Sequence, residues 1–168
     1  MQASNISSRD PKFLFPELER RMNMLFALYK EKFPNAPQPL ISQTVRSARD
    51  QAQDYAKGRS APGPVVTHAN VGQSLHGYLP GMAFDVFFEE DGKYSTNETY
   101  YSNLGKLAPS VGLEWGGTWT HKDTPHFQPP NYTWEQASRG EEPIFPPIAE
   151  TGLEEIDPTE EAFSQEAP

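Results

Sequence analysis

The spacing of apolar residues between positions 16 and 33 is the strongest local signal in the chain. Apolar side chains recur there at steps of three and four residues, which is the pattern of one helix face. The repeat consists of Leu18, Met22, Leu25, Tyr29 and Phe33. Pro16 suits the first helical turn, and Pro34 stops the helix. The pattern predicts a helix that covers the core.

Residues 40–45 have the apolar and β-branched content of a strand. Ser47 follows, with Asp50 three residues later, and this is the pattern of a capping box that begins a helix ending at Gly58. Arg46 therefore lies at a strand-to-helix junction, where its side chain can be aimed at a fixed point. By spacing alone, an ordinary surface arginine with a weak ion pair is the favoured interpretation.

A second strand is predicted over residues 82–88, where Asp85 falls on the face opposite Phe84 and Val86. Both faces of this segment are mostly apolar, which indicates a central strand. A carboxylate in such a strand has to be paired, hydrogen-bonded or bound to a metal. Asp85 is therefore the first residue to suggest a functional site.

Two further local predictions complete the secondary structure. Residues 65–67 have the composition of a short strand within a loop. Ser95, with Glu98 three residues later, has the pattern of another capping box and predicts a helix that ends near Pro109.

Charge is distributed unevenly along the 168 residues. The formal net charge is -9, but residues 140–168 hold nine of the 23 acidic residues and none of the 14 basic ones. Residues 1–139 are thus formally neutral, without the basic excess that nucleic-acid binding requires. We predict one folded domain over residues 1–139 and a disordered, acidic, proline-rich tail over residues 140–168.

Several classes of protein are excluded or disfavoured by what the chain lacks. It has no cysteine, which excludes disulfides, thiolate ligands and a cysteine nucleophile. No apolar run approaches the ~18 residues of a membrane helix. The first residues lack the charged-then-apolar order of a signal peptide. We expect no stable membrane insertion and a monomer.

Two stretches concentrate the residue types that bind metals. His76 and Asp85 lie nine residues apart with a proline–glycine turn between them, and Asp123 and His126 follow in a second stretch. Two imidazoles and one carboxylate suit zinc with one position left for water, whose pKa zinc lowers to ~7. Asp123 can then act as a general base, and Arg46 can stabilise an oxyanion. These roles together are those of metal-assisted amide hydrolysis.

The same ligand types also allow other interpretations. Non-haem iron enzymes use two histidines and one carboxylate, although their usual His-x-Asp spacing is absent here. Isolated histidines are more often structural or exposed, and we expect this of His68 and His121. A non-catalytic, metal-stabilised binding module is a further alternative.

Three separated blocks carry a pattern that is found in a known family. The blocks span residues 46–60, residues 62–85 and residues 112–127. Their matching positions are Arg46, Ser47, Gln51, Tyr55, Gly58, Arg59 and Ser60; Pro62, Gly63, Val66, Thr67, Ser74, His76, Gly81, Ala83 and Asp85; and Gly112, Leu113, Glu114, Trp115, Gly116, Gly117, Trp119, Asp123, His126 and Phe127. In these blocks the chain resembles the peptidoglycan peptidases of the M15 family, which includes D-alanyl-D-alanine peptidases, L-alanyl-D-glutamate endopeptidases and phage endolysins.

The resemblance implies an α+β fold of the Hedgehog/D,D-peptidase-like type, with a small central antiparallel sheet flanked by helices. It implies zinc bound by His76, Asp85 and His126, and bacterial peptidoglycan as the substrate. A non-catalytic module on the same scaffold would instead bind cell wall or a protein. With no signal peptide in the sequence, the resemblance also leads us to expect a cytoplasmic protein that is released at host lysis or is carried on a phage particle. Asp123 would be the general base and Arg46 the transition-state arginine. The residues expected to contact substrate are Ser74, Gln51, Thr67 and Trp119.

Two departures from the family pattern concern the substrate rather than the chemistry. In the family the usual step from the first histidine to the aspartate is seven residues, whereas the step here is nine, with the extra residues around Leu79 and Pro80. This insertion is a candidate for reshaping the substrate groove. Val45 also stands where the family often has tyrosine. Whether the enzyme is an endopeptidase or a D,D-carboxypeptidase stays open.

Overall fold

The fold of residues 1–148, the part of the chain that the computed structural model describes, combines four α-helices with short antiparallel strands. The helices are α1 (Pro16–Lys32), α2 (Ala48–Ala56), α3 (Glu98–Leu107) and α4 (Trp134–Ser138). The strands are β1 (Gln2–Ala3), β2 (Leu40–Gln43), β3 (Tyr78–Leu79), β4 (Phe84–Phe87), β5 (Glu89–Glu90), β6 (Lys93–Tyr94), β7 (Glu114–Trp115) and β8 (His126–Gln128). This is the α+β class expected from the sequence.

The main sheet has four antiparallel strands in the order β2-β4-β8-β7. The predicted strand around Asp85 is therefore central, as expected. Asp85 pairs with His126 on one side and with Gln43 on the other. A register shift between Ile41 and Gln43 brings Gln43 opposite Asp85. One row across three strands thus carries a carboxamide, a carboxylate and an imidazole.

The hydrophobic core lies on the other face of this sheet. Phe84, Val86 and Phe127 point away from the polar row and are fully buried, as strand alternation requires. Helices α1 and α3 cover them, and Phe84 stacks on Phe127 with ring centroids 5.3 Å apart. The predicted helix over residues 16–33 is confirmed, with its apolar face buried against the sheet.

Local capping differs in detail from the sequence prediction. Ser47 does cap α2 by accepting a hydrogen bond from the Asp50 amide, but the Asp50 carboxylate accepts from the Ser7 hydroxyl instead of completing the box. Asn97 rather than Ser95 caps α3, because its carboxamide oxygen reaches the Thr99 amide. The strand predicted over residues 65–67 was wrong, since that segment is an irregular loop without ladder partners.

The ends of the described chain pack on the domain. Strand β1 pairs with β3, which contains the inserted Leu79 and its cis peptide bond to Pro80. Phe145 stacks on Phe15 at 6.3 Å and lies 4.8 Å beneath the Arg21 guanidinium. The predicted boundary after residue 139 stays a prediction, and most of the predicted tail, residues 149–168, lies outside the described residues.

Membrane insertion has no candidate helix within residues 1–148. None of the helices there is both long enough and apolar enough to cross a bilayer.

Candidate metal centre and its pocket

Three side chains that are far apart in sequence converge on the polar face of the sheet. Asp85 and His126 are cross-strand neighbours, and His76 comes from a 3₁₀ turn, Leu75–Gly77, that Ser74 caps. The Asp85 Oδ1 lies 3.1 Å from His76 Nε2 and 3.1 Å from His126 Nδ1. The two imidazole nitrogens lie 3.3 Å apart. The predicted ligand set therefore forms one compact triangle.

The triangle has the dimensions and chemistry of a metal site. Tetrahedral coordination with bonds of about 2.0–2.1 Å separates ligand atoms by about 3.3–3.4 Å, close to the spacing here. The His76 Nδ1 lies 3.1 Å from the Thr44 carbonyl oxygen, which can only accept, so this nitrogen carries the proton and Nε2 is free to bind a cation. Imidazole and carboxylate donors without thiolates suit zinc and other first-row metals.

Burial strengthens the electrostatic coupling within the triangle. The side chains of His76, His126 and Asp85 are 4%, 9% and 18% exposed. Burial alone would raise the pKa of Asp85, but His76 and His126 outweigh it and hold that pKa well below its usual value. Burial would likewise lower the pKa of His126, but the Asp85 carboxylate raises it overall. The carboxylate is thus kept ionised and in need of a cationic partner.

Asp123 lies on the turn that leads into His126. The His126 amide donates to the Asp123 carbonyl at 3.1 Å, so the backbone turns at residues 124–125 and both side chains reach the same pocket. Gly116 makes this approach possible, because a Cβ there would lie 2.5 Å from the Asp123 carbonyl oxygen. Although Asp123 is exposed at the pocket mouth, the surrounding protein displaces water and raises the pKa of its carboxyl.

Arg46 is held at the pocket wall by two carboxamides. Its Nε lies 2.7 Å from the Gln43 Oε1, to which a second guanidinium nitrogen also donates, and its Nη1 lies 3.2 Å from the Gln51 Oε1. The Arg46 amide donates to the His76 carbonyl at 2.8 Å. The Arg46 Nη1 also lies 3.8 Å from the Asp54 carboxylate, which is the weak ion pair that spacing favoured. The backbone and carboxamide contacts nevertheless place the arginine relative to the metal ligands.

A cavity of about 410 Å³ opens above the triangle. Its lining includes Arg46, Asp123 and three of the four residues that were predicted to contact substrate, namely Ser74, Thr67 and Trp119. Gln51 is not in the lining: it is 1% exposed, and its Nε2 donates to the Ala69 carbonyl at 2.6 Å. Both ends of its carboxamide are engaged within the protein, so its placement assigns it to holding Arg46 rather than to touching a substrate.

The inserted residues Leu79 and Pro80 do not line this cavity. Their segment is committed to pairing with the N-terminal strand β1. The expectation that the insertion reshapes the groove is therefore not supported, because the inserted segment pairs with β1 and lies outside the cavity lining. His68 and His121 are exposed and stay outside the ligand triangle, with their rings 5.9 Å apart.

Three polar residues around the site were missed from the sequence. Gln128 contacts His126, Gln43 holds Arg46, and Glu114 accepts hydrogen bonds from the Trp119 indole and the Asn131 amide. Gln128 lies two residues after His126 on a strand, so the two-residue period could have placed it on the ligand face. Gln43 and Glu114 reach this face through strand pairing, which the sequence does not show.

The fold and the site together define a candidate metal centre that opens to a cleft, with a carboxylate and an arginine at its wall. Residues 67–129 match the M15 family described as D-alanyl-D-alanine carboxypeptidase. The chain is 33% identical over 100 residues to the peptidoglycan L-alanyl-D-glutamate endopeptidase CwlK of Bacillus subtilis (strain 168), over 53% of this chain and 59% of that relative. It thus spans little more than half the length of this curated relative.

One solved structure shares the fold, and a second is similar in sequence. A vancomycin resistance D,D-pentapeptidase, VanY, crystallised with Zn(II), matches with a TM-score of 0.54 and 16% identity, over 82% of this chain and 84% of that one. The L-Ala D-Glu endopeptidase ChiX of Serratia marcescens matches with a TM-score of 0.47 and 25% identity, over 76% of this chain and 90% of that one. The chain is thus similar to M15 peptidases in sequence over residues 67–129 and in fold over most of its length.

Proposed function

We propose that this protein is a zinc-dependent peptidase that cleaves a peptide bond in the stem peptides of bacterial peptidoglycan. The observation that carries the proposal is the compact triangle of His76, Asp85 and His126 at the floor of an open cavity. A structural zinc site normally closes with four protein ligands, whereas three ligands and an open position are typical of catalysis. The substrate class comes from the names of the similar proteins.

The residues of this chain would divide the chemistry between them. Zinc bound by the triangle would supply Lewis acidity and lower the pKa of water to ~7. Asp123 lines the same cavity, and the raised pKa of its carboxyl suits an acid–base group that takes a proton from water and returns it to the leaving amine. Arg46, fixed by Gln43 and Gln51, offers its guanidinium to the oxygen that becomes negative.

Purified protein incubated with peptidoglycan tests the activity directly. We expect new amino termini to appear, to vanish with a chelator and to return with zinc. Asp123→Asn should lower the rate by about 10²–10⁴-fold, the usual contribution of a general acid–base group. Asp91→Asn is a matched control, because Asp91 lies in an exposed turn with positive φ that asparagine also accepts.

Two outcomes would overturn the proposal. Release that ignores both the chelator and Asp123→Asn would exclude the zinc mechanism. Binding to peptidoglycan without any release would favour the non-catalytic module.

Mass spectrometry of the products separates an endopeptidase from a D,D-carboxypeptidase. Metal analysis of wild type beside His76→Ala should find about one zinc per chain and its loss in the variant, and iron in place of zinc would favour an oxygenase.

We further propose an endolysin-like role, with a monomer that reaches the wall at host lysis or as part of a phage particle. The support is the resemblance to a family that includes endolysins. Fractionation of producing cells before and after lysis tests it, and accumulation of the protein outside intact cells would contradict it.

A further inference from the structure

Gln128 is the one carboxamide that contacts a side chain of the ligand triangle at hydrogen-bond distance within the described residues. It lies on β8 two residues beyond His126, on the same face of the sheet, and only 8% of it is exposed. Its Oε1 lies 3.0 Å from His126 Nε2, and its Nε2 donates to the Tyr132 carbonyl at 3.1 Å. Both ends of this buried carboxamide are therefore in use.

The chemistry of the two contacts leaves one arrangement of protons. A backbone carbonyl can only accept, so the amino group of Gln128 has to face Tyr132. The carboxamide oxygen then faces His126 and accepts from its Nε2, which must carry a proton. In the neutral imidazole that a metal binds, Nδ1 of His126 then keeps its lone pair, and this is the atom 3.1 Å from Asp85 Oδ1.

The two histidines are oriented by different means. Thr44 offers a backbone carbonyl to His76 Nδ1, which leaves Nε2 of His76 free, whereas the free nitrogen of His126 is Nδ1. The ligand histidines thus carry their protons on opposite ring nitrogens. Only the His126 arrangement depends on a side chain, and so only that one can be changed by substitution.

We propose that Gln128 is a positioning residue that keeps the proton of His126 on Nε2 and so presents Nδ1 to the metal. Through its hydrogen bond to Tyr132, Gln128 also connects the metal centre to the pocket wall at residues 132–134. The proposal rests on the metal site of the proposed function. Its second part follows from the Tyr132 contact, because Tyr132, Thr133 and Trp134 all line the cavity. Groups that orient metal-binding histidines typically contribute 10–100-fold to metal affinity or activity.

The protonation pattern can be measured on the wild-type protein. Zinc-loaded protein labelled with ¹⁵N-histidine should show, in long-range ¹H–¹⁵N spectra, the ring proton of His126 on Nε2 and that of His76 on Nδ1. The exposed His68 and His121 serve as internal references for rings without a fixed partner. A zinc-loaded protein with the His126 proton on Nδ1 would overturn the proposal, and this result needs no variant to fold.

Two substitutions then separate the two contacts. Gln128→Met keeps the length of the side chain but loses both hydrogen bonds, and we expect zinc affinity to fall by about 10–100-fold in competition with a chelating dye. Gln128→Glu keeps an acceptor for His126 but loses the donor to Tyr132, so zinc affinity should be retained while KM for peptidoglycan rises. Gln53→Met, on the exposed face of α2, is the matched control and should change neither.

The outcomes distinguish this inference from the proposed function. If wild type binds no zinc, the proposed function fails. If wild type binds zinc and Gln128→Met, folded by circular dichroism, binds it equally well, the positioning role alone is overturned. An unchanged KM in Gln128→Glu would overturn the link to the pocket wall.

Discussion

Replacing Gly105 with alanine tests how α3 is coupled to the site. Gly105 lies in the interior of a helix, where alanine ordinarily stabilises by about 1 kcal/mol. Here a Cβ would lie 2.0 Å from Cδ2 of Trp115 and 2.4 Å from its Cε3, so the indole ring would have to move. The Trp115 Nε1 donates to the Thr124 carbonyl at 2.7 Å, on the turn that carries Asp123 and His126. The substitution therefore acts on the site through the indole.

The expected magnitude follows from three contributions. Overpacking of a filled core costs about 1–3 kcal/mol, and loss of the Trp115–Thr124 hydrogen bond about 0.5–1.5 kcal/mol. The helix-propensity gain offsets about 1 kcal/mol. We expect Gly105→Ala to lower the free energy of unfolding by about 1–3 kcal/mol, which corresponds to a fall in Tm of about 3–10 °C for a chain of this size. Activity should fall as well, because the turn of Asp123 shifts.

Thermal and urea unfolding followed by tryptophan fluorescence measure this effect. Gly77→Ala is the matched control, because nothing lies within 4 Å of a Cβ at that glycine, and its stability should stay within about 0.5 kcal/mol of wild type. The double variant Gly105→Ala, Trp115→Leu should lose less stability than the sum of the two single variants, since the smaller side chain relieves the clash. A Gly105→Ala protein as stable as wild type, or more so, would refute the reasoning.

Three further predictions concern other parts of the molecule. Tyr29→Phe should raise the free energy of unfolding by about 1 kcal/mol, because the Tyr29 hydroxyl is buried without a hydrogen-bond partner among residues 1–148. Hydrogen bonds to Glu17, above all the one from Arg20, lower its pKa to about 2. The stabilisation from Glu17 should therefore be present above pH 4.5 and be lost as the pH falls toward 2. Since 31% of that side chain is exposed, we expect this stabilisation to be about 1 kcal/mol. Glu114→Gln should lower stability by about 1–2 kcal/mol, because one acceptor for the Trp119 indole or the Asn131 amide becomes a donor.

Urea unfolding measures all three, each with its own control. Tyr132→Phe should lower the free energy of unfolding, whereas Tyr29→Phe should raise it, since the Tyr132 hydroxyl donates to the Glu141 carbonyl. Glu17→Gln should differ from wild type at pH 7 and match it near pH 2, and a difference that is constant with pH would contradict the linkage. Glu31→Gln, at an exposed position, should leave stability unchanged, and an equal loss there would remove the case for Glu114.

The regular elements and the ligand types could be predicted because they depend on short stretches of chain. The periodic apolar residues of α1 and the alternation around Asp85 determine locally which side chains share a face. The turn at residues 124–125 likewise lies within one segment. Helix caps were less predictable. Asn97, not the predicted Ser95, caps α3, and the Asp50 carboxylate accepts a hydrogen bond from the Ser7 hydroxyl instead of the reciprocal bond of a capping box. Alternative local hydrogen bonds of this kind are close in free energy, so distant packing decides between them.

By itself, the sequence determined that Asp85 sits in an apolar strand and has to be paired, hydrogen-bonded or bound to a metal, and that two histidines and a second aspartate are available. The tertiary structure decided that Asp85 faces His126 across the sheet, since strand register is set by the packing of the whole core. It also decided that Gln51 lies behind Arg46 and that Gln128 orients His126. Such contacts join residues from separate elements, and their geometry exists only once the core has placed those elements side by side.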